Sequence, residues 1–146
     1  MNVSTKSEYG LRALIYLASR DDPEPVSAHE IATSWRVPVK YLEQILKTLK
    51  DAGLVESHLG VRGGYRLARP ASLITAGEVI RVLDGPIAPI GCVSVSNYIP
   101  CEFELFCGLK LLWSRTRAAI LGVLDQTTIA DLSYQGLPEQ LVQMQK

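Results

Sequence analysis

The feature that most constrains this chain is a helical pattern from Pro38 to Ala52, with a short capped helix before it and a glycine-tipped hairpin after it. Leu42, Ile45, Leu46 and Leu49 recur at gaps of three and one, which places them on one stripe of a 3.6-residue helix. Lys40, Tyr41, Glu43, Gln44 and Lys47 are left on the outward face. Pro38 suits the first turn, where its missing N–H has no intrahelical partner, and Gly53 is a natural C-terminal stop. Upstream, Ser27 with Glu30 three residues later carries a capping-box signature for a short helix over residues 28–35. Downstream, the β-prone runs 54–59 and 65–68 flank Gly60-Val61-Arg62-Gly63-Gly64 and read as a hairpin. Two short helices followed by such a hairpin predict a winged helix-turn-helix, in a mainly α chain with a small β-hairpin wing.

The rest of the chain is helical with two interruptions. A first helix over 6–18 is expected to bury Leu11, Leu14, Ile15 and Ala18. It is broken by Asp21-Asp22-Pro23-Glu24-Pro25, since proline cannot continue a helix. Thr75 and Glu78 form a second capping-box pair, for a helix over 76–83 that ends at Gly85-Pro86. Residues 87–100 show no period and form a loop. A long helix is then expected to start near Glu102. Its residues Leu105, Leu109, Leu112, Thr116, Ala119 and Val123 alternate gaps of three and four, with Trp113 and Ile120 beside them. That seam reads as a coiled-coil-like dimer interface, with packing on the chain's own first helix as the alternative. Thr128 caps a last short turn, 129–132. The expected organisation is a winged helix-turn-helix at 1–85, a cysteine-bearing loop at 86–101, a dimerisation helix and short terminal helix at 102–135, and a polar tail at 136–146.

Formal charge is zero over 146 residues, which at first sight argues against nucleic acid. The distribution reverses that reading. From Arg36 to Arg69 there are seven basic residues against three acidic ones, a local excess of four positive charges. Such a patch is an electrostatic footprint for DNA on an otherwise neutral chain. A helix fits the major groove, about 12 Å wide, where Gln44 can pair with adenine and Lys40 or Lys47 can reach guanine or phosphate. Tyr41 offers an apolar face and a hydroxyl, and Glu43 can accept from cytosine. Arg62 suits the minor groove or its flanking phosphates, with Gly63 and Gly64 permitting close backbone approach. Ser27 and Tyr65, at the edges of this surface, complete the candidate set. The expected partner is double-stranded DNA with a palindromic operator, read by a homodimer. No run nears the ~20 apolar residues of a membrane span. No Ser/His/Asp or Cys/His constellation and no phosphate-cradling loop points to an enzyme.

Cys92, Cys101 and Cys107 are the only cysteines, and they lie within sixteen residues. An odd number cannot pair off completely in one chain, and residues 1–20 show no apolar export signal. In the cytoplasmic setting this implies, thiols stay reduced, which favours metal binding or redox sensing over structural disulfides. Simple packing as small apolar residues is the alternative.

Several motifs in order now resemble one family, the winged-helix regulators typified by IscR, NsrR and CymR. They are Ser7-Glu8-Tyr9-Gly10-Leu11-Arg12-Ala13-Leu14, Tyr41-Leu42-Glu43-Gln44-Ile45-Leu46, Leu49 with Ala52-Gly53-Leu54-Val55, Arg62-Gly63-Gly64-Tyr65, Gly77-Glu78-Val79-Ile80 and Ile129-Ala130-Asp131-Leu132. The resemblance implies a homodimer with crossed long helices and two winged heads. In many members it also implies an iron–sulfur cluster, 2Fe–2S or 4Fe–4S, on three cysteines before the long helix. Two departures stand out. The cysteine gaps are eight and five residues, where cluster-bearing members usually have five and five. The histidine that IscR-like members carry three residues past the third cysteine is here Lys110, and His29 and His58 lie in the DNA-binding region. In the NsrR-like branch the fourth ligand is an acid of the partner's first helix, a position that Glu8 matches; Glu102 and Glu104 are weaker alternatives. The implied function is a regulator sensing redox state, nitric oxide or iron through a cluster on Cys92, Cys101, Cys107 and Glu8. The alternative is the same fold acting as a cluster-free thiol/disulfide switch. A third reading is an iron–sulfur carrier without DNA affinity.

Overall fold

The computed structural model describes residues 2–133; the tail expected at 136–146 lies outside the described residues. Six α-helices and one hairpin follow in the order α1 (Thr5–Ala18), α2 (Ala28–Trp35), α3 (Val39–Asp51), β1 (Val55–His58), β2 (Gly64–Leu67), α4 (Ala76–Asp84), α5 (Gly108–Leu124) and α6 (Ile129–Leu132). The mainly α architecture with a small antiparallel wing is the one the sequence pattern predicts.

The core sits where α1, α2, α3 and α4 meet the root of the hairpin. Leu14, Ile31, Leu42, Ile45, Leu46, Leu49, Leu54, Ile74, Val79 and Ile129 are all sealed from water there. Each such aliphatic contributes roughly 1.5–3 kcal/mol of burial. The α3 stripe is the expected one. The α1 stripe is rotated from expectation, because Ser7, Gly10, Ala13, Leu14 and Leu17 face inward while Leu11, Ile15 and Ala18 are only half-buried. Small residues explain the rotation. A methyl on Gly10 would collide with Leu83 Cδ1, so α1 and α4 approach closely at a point where α1 carries no side chain. Apolar periodicity alone points to the bulkier neighbours.

Helix ends show a second difference. Ser27 and Thr75 cap α2 and α4 by accepting from the amides of Glu30 and Glu78, each at 3.1 Å. The reciprocal arms are absent, since Glu30 binds the Tyr16 hydroxyl at 2.8 Å and Arg20 at 2.9 Å, while Glu78 pairs with Arg69 at 2.6 Å. The complete capping box is at α6, where Thr128 and Asp131 bond each other's backbone. Pro38 stands one position earlier than expected, as the N-cap of α3 rather than within its first turn.

The long helix begins at Gly108, not near Glu102. Residues 104–106 form a separate 3-10 turn, and Cys107 is extended (φ −91°, ψ 107°), which interrupts the helical path. Leu105 is therefore off the helix. The loop before it has a second 3-10 turn, Gly91–Val93, whose Val93 is buried together with Ile87. α5 rests on that turn and on α4, yet none of its own residues is buried in the single chain.

Candidate nucleic-acid interface and cysteine site

The outward face of α3 carries Lys40, Glu43, Gln44 and Lys47, all exposed, as expected. Tyr41 departs from that set. It is half-buried, with its ring edge-on to Tyr9 at 5.9 Å between centroids, so only part of it is presented. The turn between α2 and α3 is closed by Val37 N–H donating to Ala32 O at 2.9 Å and Arg36 N–H to Thr33 O at 3.3 Å. This wrap needs a left-handed residue, which glycine usually supplies. Here it is Arg36 (φ 54°, ψ 44°), the one non-glycine with positive φ among the described residues.

The wing is fastened to the head at its stem. Val26 and Tyr65 exchange backbone hydrogen bonds of 2.9 and 2.7 Å, and the half-buried Tyr65 ring packs against the core. A side chain on Gly64 would strike the backbone of Val26, so this glycine serves the close approach of wing to head. Sequence reading had assigned that freedom to the DNA side. Ser27, next to the bridge, is exposed but uses its oxygen to cap α2. At the tip, Arg62 is exposed and Gly63 half-buried.

Ion pairing sharpens the electrostatic picture. Arg66 is paired with Glu56 across the hairpin, and Arg69 with Glu78. The Arg66 hydrogen bond, then that of His58, holds the Glu56 carboxyl below the usual range. Arg36, Lys40, Lys47, Lys50 and Arg62 have no such partner among the described residues, and all five are exposed. The unneutralised charge is thus concentrated on the turn, α3 and the wing tip. Arg36 was not singled out by sequence reading. Its signal is conformational, a cation held where glycine would be unstrained.

The three cysteines are free thiols: Cys92 in the 91–93 turn, Cys101 exposed in the loop, and Cys107 at the N-cap of α5. Lys110, at the position of the IscR-like histidine, is paired with Glu104, which also accepts from the Tyr98 hydroxyl. The Lys110 bond, with Tyr98 second, lowers the Glu104 carboxyl, and Glu104 in turn raises Lys110. Glu8 lies exposed on α1 and is paired with Arg12 of the same helix. The Arg12 guanidinium stands 5.4 Å from the Trp35 ring at the end of α2. Among the described residues, no three Cys, His, Asp or Glu side chains come together as a metal-binding group. Cys92, Cys101, Cys107 and Glu8 are not drawn together into such a group among the described residues, and Lys110 is a cation tied to a carboxylate. Glu102 is exposed and Glu104 is occupied by its two partners.

No helix among the described residues is long and apolar enough to cross a membrane. A family described as "Rrf2: Iron-dependent Transcriptional regulator" matches residues 3–135. The chain is 41% identical over 133 residues to the HTH-type transcriptional regulator CymR of Bacillus subtilis, covering 91% of this chain and 90% of that protein. The solved structure of B. subtilis CymR, the global cysteine regulator, is similar with a TM-score of 0.77, 40% identity and coverage of 91% and 96%. T. potens IscR follows with a TM-score of 0.75, 36% identity and coverage of 96% and 90%. An oxidised form of Staphylococcus aureus CymR gives 0.70, 36%, 94% and 98%. With nearly its whole length matched, and a winged head in front of an uncovered long helix, the chain belongs to the Rrf2 family of transcriptional regulators, which are not enzymes.

Proposed function

We propose that the protein is a homodimeric, DNA-binding transcriptional regulator whose cysteine loop acts as a thiol/disulfide redox switch. Two heads joined through α5 match a palindromic operator, since a two-fold axis in the protein demands one in the site. In each half-site α3 enters the major groove. Gln44 pairs with adenine, Lys40 and Lys47 contact guanine or phosphate, Glu43 accepts from cytosine, and Tyr41 adds its free edge. Arg36, Ser27 and Tyr65 flank this contact at the backbone, while Arg62 and Gly63 meet the minor groove.

The observation that carries the switch is where the thiols sit. Cys92 lies in the turn on which α5 rests, and Cys107 is the residue immediately before the first turn of that helix. The exposed Cys101 lies between them. Hydrogen peroxide takes two protons and two electrons from Cys101 and either neighbour, giving one S–S bond and two waters. Closing that bond brings two Cα atoms within about 4.4–6.8 Å and re-seats the foot of α5. The heads then change their relative angle, which is what a two-state regulator requires. The kinship with CymR, including a relative crystallised in an oxidised form, supports this reading. A second reading is favoured by the likeness to IscR and the family's description as iron-dependent. In it the three thiolates hold an iron–sulfur cluster, with Glu8 supplied across the dimer.

Both readings are tested on anaerobically purified protein by assaying iron, acid-labile sulfide and operator affinity, before and after peroxide and then dithiothreitol. The switch predicts a colourless protein whose affinity changes with peroxide, returns with dithiothreitol and becomes insensitive in Cys101→Ser. Iron and sulfide in near-equal amounts, lost in Cys101→Ser, would replace the switch by the cluster.

A further inference from the structure

Leu59 and Val61 at the wing tip are exposed to 100% and 107% of their reference areas, more than any other large apolar side chain among the described residues. Most of the other strongly exposed aliphatics and aromatics lie in the cysteine loop and α5, with Val3 and Leu73 the exceptions. The wing pair lies outside that surface. Its support is rigid. Residues 55–58 pair in register with 64–67, Gly63 N–H donates to Gly60 O at 3.0 Å, and the stem is bolted to Val26. A side chain on Gly63 would strike the His58 carbonyl, so the tip is wound tightly against its own strand. Two branched aliphatics are thus held out in water, with Arg62 beside them and unpaired cations along the turn and α3.

We propose that Leu59 and Val61 form an apolar wedge that enters the operator minor groove and selects a deformable base step there. This rests on the DNA-binding reading. A lone arginine fits a narrow, rigid minor groove, whereas aliphatic side chains enter by prising base steps apart and bending the duplex. Pyrimidine–purine steps yield most readily, so the wedge discriminates at positions where it makes no hydrogen bond. Arg62 supplies the adjoining phosphate or groove charge, and the two contributions separate by their response to salt.

The test uses the full-length dimer and a duplex enriched from a random pool by the wild-type protein, end-labelled so that energy transfer reports bending. Both side chains are fully exposed, so Leu59→Ser/Val61→Ser keeps its melting temperature. It is expected to lose affinity by about tenfold and to lose most of the bend, with the slope of log K against log salt unchanged. Leu59→Met/Val61→Ile retains both affinity and bend, whereas Arg62→Ala reduces the slope by about one. Changing the flexible step under the wing to AA costs the wild type about tenfold and the serine variant less than about twofold. Equal affinity, bend and step preference in the serine variant would overturn the wedge while leaving DNA binding intact. A wild type that enriches no duplex would overturn both readings.

Discussion

The winged head and the cysteine-loop arm differ in one physical respect, completion. The head closes on itself: α1, α3 and α4 share a sealed aliphatic core, and its helices α2 and α4 start at side-chain caps. The arm does neither. α5 begins at Cys107 without a side-chain cap and buries none of its seventeen residues. Leu105, Phe106, Leu109 and Leu112 remain open to solvent. Apolar side chains left open together in this way form a binding surface, and the near-heptad spacing along α5 from Leu109 to Val123 suits a second copy of the same helix. The head buries its own core, whereas α5 leaves its apolar residues for assembly to cover.

The sharpest way to break that contrast is to charge the seam. Leu109→Asp/Leu112→Asp is expected to leave the head's far-UV circular dichroism in place while sedimentation shows a monomer. Losing the second head removes the avidity of two tethered half-sites, so operator affinity falls by about 10²-fold or more. A variant that unfolds instead would show that the head needs the arm. The mirror experiment is Leu46→Ala in the head, where a fully enclosed side chain is removed. A cost of about 2–5 kcal/mol is expected in denaturant titration, with the dimer interface unchanged. The same truncation at Leu112 should cost little in the stability of the isolated head.

How much was legible in the sequence follows the same division. In the head, residue spacing identified every α-helix and both strands, though not the 3-10 turn at Ala71–Leu73, because burial there is decided within the chain. Its misreadings were local competitions. Gly10 turned α1 towards its small residues, and Glu30 and Glu78 left their capping roles for Arg20, Tyr16 and Arg69. In the arm, an apolar run not buried within its own chain looks helical from Glu102, although the chain is not regular until Gly108. The cysteines were visible as a group from spacing alone. What they do together depends on backbone geometry and on the second chain, neither of which spacing encodes.

Arg36 tests whether strain in the head serves the DNA surface. A non-glycine residue in the left-handed region costs about 1 kcal/mol, and Arg36 is the residue that bears it. Arg36→Gly is expected to raise stability by about that amount in thermal melts while lowering duplex affinity several-fold. Opposite signs in the two measurements would mark Arg36 as retained for its charge. A gain in stability with unchanged affinity would remove it from the interface.

The smallest expected effect lies at the joint between the two regions, where Arg81 of α4 donates to Asp125 at the end of α5, at 2.7 Å. The Arg81 hydrogen bond, opposed by burial and aided by its charge, holds the Asp125 carboxyl below its ordinary 3.8. A carboxyl depressed in the folded state adds stability that is complete above the unfolded value and fades as pH falls through the folded one. The window is therefore below about pH 3.8. Both side chains are 39% exposed, so solvent screening limits the pair to under about 0.5 kcal/mol. Asp125→Asn should melt slightly below the wild type at pH 7, with the gap closing as the pH falls through that window. A gap that persists in acid would mean that α5 is held to the head by packing at this joint, and that the arm is less dependent on its partner than its exposed seam indicates.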